Sequence, residues 1–223
     1  MLIPLRDDNP TQLTPVVSYA IIAACVLVFL WQISLGANQQ AAVYSLGLIP
    51  TVLLQGASLP PELTTVPPLA TVFTSMFLHG GWLHLIGNML YLWIFADNIE
   101  DAMGHGRFVV FYLLCGIAAA LGQILMQTDS IIPMLGASGA ISGVLGGYLL
   151  LFPRRRVRAL IFNFLTEVPA FVALGIWIVY QIVIGYLTPA GTGGVAYAAH
   201  IGGFIAGLVL IKIFAIGRQK SSP

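Results

Sequence analysis

The chain has 223 residues, of which 58% are hydrophobic and only 8% charged, and its mean hydropathy of +0.93 excludes an ordinary water-facing surface. A net charge of +1, with no basic run interleaved with exposed aromatics, excludes a nucleic-acid partner. The two cysteines, Cys25 and Cys115, each sit inside an apolar run, so neither a disulfide framework nor a CxxC metal site is read and both are expected in the core.

Hydrocarbon of ~30 Å takes about 20 helical residues, and every backbone polar group in it must be satisfied internally. In chain order the pattern predicts a short N-terminal segment, 1–14, then a first span over 15–35 that is too long for a signal-peptide core. The long connection 36–82 is expected to be structured, with its apolar stretches 46–54 and 69–78 lying at the interface. Spans two and three follow over 83–103 and 107–127; Asp97, Glu100 and Asp101 near the end of span two oppose its dipole, and Arg107 is the candidate to offset them. Span four, Gly136 to Phe152, is short at about 25 Å, so its outer end should start below the membrane surface. Spans five and six cover 168–187 and 194–216, before a tail over 217–223.

Alternating sidedness puts all nine Lys and Arg residues on one face, which is then the cytoplasmic one. The expected fold class is therefore an all-α membrane protein with six transmembrane helices, a membrane domain over 15–216 and both termini cytoplasmic. Gly139, Gly143 and Gly147 on span four, and Ala199, Gly203 and Gly207 on span six, recur every four residues. Such small-residue stripes let backbones approach, so these two spans should pack together.

Polar side chains within a membrane are costly and functional by default. Four fall at one depth near the outer ends of their helices: His84, Asn88, Ser138 and His200. His84 and Asn88, four apart, offer two donors from one helix face, which suits an oxyanion. Ser138 lies just inside a helix N-terminus, where unpaired N–H groups and the dipole stabilise developing negative charge. His200 is placed to accept its proton. Each residue alone has a plainer reading, as a back-bonded serine or as polar contacts between helices. His79 reads as a residue positioning the first loop, and His105 as solvated in the Gly104–Gly106 turn. His79 with His84 does not have metalloprotease spacing, and no HExxH occurs.

The strings HGGWLHLIGNM (79–89), GASGAISG (136–143) and AHIGGFIAG (199–207), in this order, resemble the rhomboid family of intramembrane serine proteases over nearly the whole chain. That resemblance implies a six-helix bundle with a Ser138/His200 dyad in a water-filled cavity open to the outer face. It implies an oxyanion bound by His84, Asn88 and the Ser138 N–H, and no cofactor. Substrates would be single-span membrane proteins that arrive sideways from the lipid bilayer past span five and are cut at small residues near the outer surface. Two departures stand out. Members of the family carry an aromatic residue stacked on the histidine four positions after the nucleophile, where this chain has Ser142, leaving Tyr197 as a substitute. The Trp-Arg pair frequent in the first outer loop is also missing, since no Arg lies between Arg6 and Arg107.

The expected site of action is the plasma membrane of a prokaryote, because no organelle-targeting extension is read ahead of the first span. Two other function classes fit the same polar residues. A catalytically silent relative would usually have lost Ser138 or His200, and a transporter would usually show an intramembrane charge relay or an inverted repeat.

Overall fold

Apolar runs without water must bond their backbones internally, and six helices of 14 to 22 residues do so in the computed structural model, which describes residues 2–161, 164–189 and 194–216. They are α1 (Val16–Ser34), α2 (Trp82–Met103), α3 (His105–Met126), α4 (Ser138–Leu151), α5 (Ala170–Leu187) and α6 (Tyr197–Phe214). Four of them, α1, α3, α5 and α6, are long and apolar enough to cross a bilayer alone. The fifth, α2, qualifies together with the segment Pro61–Phe77, which meets it at a bend of 79°. This is a multi-pass membrane protein. The tail 217–223, with Arg218 and Lys220, lies outside the described residues, as does part of the connection between α5 and α6.

Helix α4 occupies the centre, packed on α6, α3 and α2, and every residue from Ala140 to Tyr148 is buried. The predicted stripe is the reason it fits. A Cβ on Gly203 would collide with the Gly139 carbonyl, and one on Gly207 with the Gly143 carbonyl, so α4 and α6 touch backbone to backbone. Gly122 and Gly202 bring α3 and α6 together in the same way, with a Cβ on Gly202 only 3.1 Å from the Ala118 oxygen. In contrast, α5 is a peripheral helix whose buried residues are Ala170, Ala173, Leu174 and Gln181.

The connection between α1 and α2 is ordered, as expected, into short helices including Gln39–Leu46 and Pro50–Gln55. Leu48, fully buried, pairs with Met134 in an antiparallel bridge, which fixes this loop against the segment leading into α4. Gln32 on α1 holds the loop's other end, exchanging two hydrogen bonds with the His79 backbone.

One element is not announced by the apolar pattern. Strands β1 (Leu2–Asp7), β2 (Arg156–Ile161) and β3 (Phe164–Pro169) form an antiparallel sheet in that order, where the sequence pattern predicts loops and, at Val168 and Pro169, the start of span five. Tyr148 on α4 donates its hydroxyl to Asp7, and burial pushes the Asp7 carboxyl up to about 6. The N-terminal segment is thereby tied to the middle of the bundle.

The acids closing α2 are satisfied differently from expectation. Glu100, fully buried, accepts from the Val17 and Ser18 N–H groups at 2.9 and 2.8 Å and from the Ser18 hydroxyl at 2.6 Å. It therefore caps the first turn of α1 from another helix. His105 keeps 42% of its side chain exposed, in line with its expected place in solvent, and also contacts Glu100 at 2.6 Å. Arg107 instead donates to the Phe214 and Ile216 carbonyls at the end of α6. Glu100→Ala strands the buried Ser18 N–H and hydroxyl and the part-buried Val17 N–H, so unfolding in detergent should become easier by about 3 kcal/mol or more. Glu100→Gln, which keeps an acceptor oxygen, should cost clearly less; equal losses for the two variants would sink this account.

Candidate active site

Ser138 is the first residue of α4, reached through Gly136 at φ 120° and Ala137. The positive φ is glycine's territory, and it lets the Gly136 N–H reach the Ser75 carbonyl at 2.8 Å before the chain turns into the helix. The N–H groups of Ser138, Gly139 and Ala140 have no carbonyl of their own helix to reach, so they and the helix dipole face the space around the serine hydroxyl.

His200 lies one turn inside α6, in the stretch joined backbone to backbone with α4. Its Nε2 stands 2.8 Å from Ser138 Oγ, and its Nδ1 stands 2.8 Å from Gln181 Oε1 on α5. An amide oxygen only accepts, so the ring proton belongs on Nδ1 and Nε2 is left to accept the serine proton. That is the tautomer a general base needs.

His84 and Asn88 stand across from Gly136, with a Cβ there falling 2.7 Å from His84 Nε2 and 3.6 Å from Asn88 Nδ2. The Gly80 N–H donates to His84 Nδ1 at 3.2 Å, so the His84 proton is on Nε2, aimed at the same place. Asn88 Nδ2 is buried without a hydrogen-bond partner among the described residues. Such an orphaned donor costs stability unless something is meant to bind it. All four residues picked from the sequence therefore gather around the head of α4.

His79 is fully buried, donates Nδ1 to the Phe77 carbonyl and lays its ring edge-on to His84 at 5.2 Å. It supports the loop and the His84 ring, in line with the sequence reading. Ser142 does not face His200; its hydroxyl bonds back to the Ser138 carbonyl at 2.6 Å. Tyr197 meets the His200 ring only edge-on at 6.5 Å. The ring is instead flanked by Trp177, centroids 5.9 Å apart and tilted by 34°, and Trp177 in turn leans on Phe204 and Tyr91. Trp177 and Gln181 are four apart on α5 and share a face. Sequence reasoning passed over both, although a lone amide in an apolar span is a signal of its own.

Chemically, the cluster joins a hydroxyl, a base in its accepting tautomer and at least two convergent donors. It can transfer an acyl group.

A family model for the Rhomboid domain matches residues 68–216, well over half of the chain. The chain is 32% identical over 147 residues to Rhomboid protein 1, mitochondrial, of Saccharomyces cerevisiae, covering 62% of this chain and 40% of that protein. It is 31% identical over 158 residues to Rhomboid protease GluP of Bacillus subtilis, covering 68% and 28%. With Rhomboid-like protease 3 of Toxoplasma gondii it shares 30% over 161 residues, covering 72% and 57%. The chain thus spans less than two thirds of each of these relatives, and the matched region contains every residue of the cluster above. The chain belongs to the rhomboid family.

Proposed function

We propose that this protein is an intramembrane serine endopeptidase that hydrolyses peptide bonds in or near the membrane segments of other membrane proteins. The observation that carries the reading is the 2.8 Å contact between Ser138 Oγ and His200 Nε2 at a helix N-terminus. In this reading Ser138 attacks the scissile carbonyl while His200 takes its proton, then returns it to the leaving amine. The tetrahedral oxyanion is held by His84 Nε2–H, Asn88 Nδ2 and the N–H groups at the head of α4. Water repeats the sequence on the acyl-enzyme. The names of two relatives above, each called a protease, support the same activity.

Six spans with both termini cytoplasmic remain our proposed topology. Its support is that α2 ends, α3 begins and α6 ends together, with Arg107 bonded to the Phe214 and Ile216 carbonyls. Arg6 and Arg158 pair in the sheet, while Ser138 and His200 lie at the opposite helix ends. Substrates are single-span proteins that come from the bilayer past α5, which like α1 has little buried surface. A plasma membrane with an outward-facing site fits this sidedness, though the relatives come from bacteria and eukaryotes alike.

The test is to incubate the purified protein with labelled single-span substrates and with an activated-phosphonate probe. Wild type should cleave and label at Ser138; wild type that does neither across several substrates ends the proposal. Asn88→Ala removes one oxyanion donor and should lower kcat by about 10²- to 10³-fold with little change in KM. A rise in KM with kcat intact would instead make Asn88 a ground-state contact.

A further inference from the structure

Ser138 and His200 account for one side of the imidazole, and nothing in the reaction above uses the other. That side is closed by Gln181, whose Oε1 stands 2.8 Å from His200 Nδ1. Gln181 is 6% exposed on a helix whose next residue Ile182 and preceding residue Tyr180 are about half exposed to the surroundings. An amide buried on such a helix is unfavourable unless it is hydrogen-bonded, so its position is built around His200. Among the described residues no carboxyl group bonds this histidine: Asp129, on the same side of the bundle, is engaged by Gln55, and Glu100 and Asp101 are engaged at the far end of α2. The amide oxygen therefore occupies the place that an acid fills in three-residue catalytic sites.

We propose that Gln181 is a positioning residue for the base: it holds His200 with the proton on Nδ1 and Nε2 directed at Ser138, across the interface between α5 and α6. It acts through orientation and carries no charge, so it fixes the tautomer without strengthening the imidazolium as an acid would. Trp177, four residues earlier, limits the tilt of the same ring from the same helix. The role that family members give to an aromatic on the serine's own helix is thus divided here between two residues of α5. This assignment rests on the protease reading.

The experiment compares Gln181→Met and Gln181→Glu with wild type in detergent and in proteoliposomes, reading kcat, KM, the pH dependence of both, phosphonate labelling and thermal unfolding. Methionine keeps the volume but removes the acceptor, and kcat should fall roughly 10- to 100-fold with KM nearly unchanged. Glutamate keeps an acceptor and adds charge. Activity at alkaline pH should stay within about threefold of wild type, and the acid limb of the pH–rate profile should move to higher pH.

Wild-type kcat and pH profile in Gln181→Met overturn the assignment. So does Gln181→Glu that loses its alkaline activity, because an obligate acceptor would then not be what His200 needs. Should Gln181→Met unfold early, the pH profile of Gln181→Glu decides alone. Wild type that neither cleaves nor labels overturns the protease reading and this assignment together, whereas active wild type with an unaffected Gln181→Met overturns this assignment only.

Discussion

Alanine at position 138 should abolish nearly all cleavage, lowering kcat/KM by about 10⁴- to 10⁶-fold and eliminating phosphonate labelling. The hydroxyl is the only group in the cluster that can form the acyl-enzyme, and its loss leaves His200 Nε2 without a proton to accept. His200→Ala should cost nearly as much, since a membrane-buried serine without its base is a poor nucleophile. The two act as one unit, so the double variant should be no worse than the worse single one. Substrate affinity, followed by crosslinking, should survive in all three. Cleavage above about one per cent of wild type in Ser138→Ala would point to another nucleophile or to water activated by His200.

Gly207→Ala should be among the most destabilising single-methyl additions in the chain. The added Cβ would run into the Gly143 carbonyl, its carbon and its Cα, all backbone atoms that cannot turn aside as a flexible side chain would. Overpacking of this kind costs about 3 kcal/mol, and more where two helices must part along their length. Parting α6 from α4 also draws His200 off Ser138, so activity should fall along with stability. Gly87→Ala on α2 is the matched control: a Cβ there meets nothing within 4 Å, and helix propensity alone predicts no loss. Denaturation in mixed micelles checks both. A Gly207→Ala protein as stable as Gly87→Ala would mean that the α4–α6 contact yields more easily than its geometry implies.

The helices and the core of the site were legible because each rests on a local or periodic signal. Apolar length marks the long helices, four-residue spacing marks the α4–α6 seam, and topology alone brings His84, Asn88, Ser138 and His200 to one depth. What was not legible depends on contacts between distant segments. Gln181 and Trp177 meet His200 from α5, and no spacing links those positions. Glu100 was assigned a neighbouring arginine by proximity in sequence, while its partners are N–H groups at the start of α1 and the adjoining His105. The sheet escaped because Arg156 and Arg158 make β2 read as a basic loop, and because the strand β1 that completes it is far away in the chain.

That distance bears on how the molecule is assembled. Leu2 pairs with Ile161 and Asp7 with Val157, and the Tyr148 hydroxyl that Asp7 receives is 141 residues further along the chain. During synthesis from the N-terminus, β1 is made before α4 and β2 and has no partner until they have followed. Its docking is therefore a late, non-local step of the kind that slows folding. Strand β1 thus becomes a latch that closes only after the helix bearing the serine is in place.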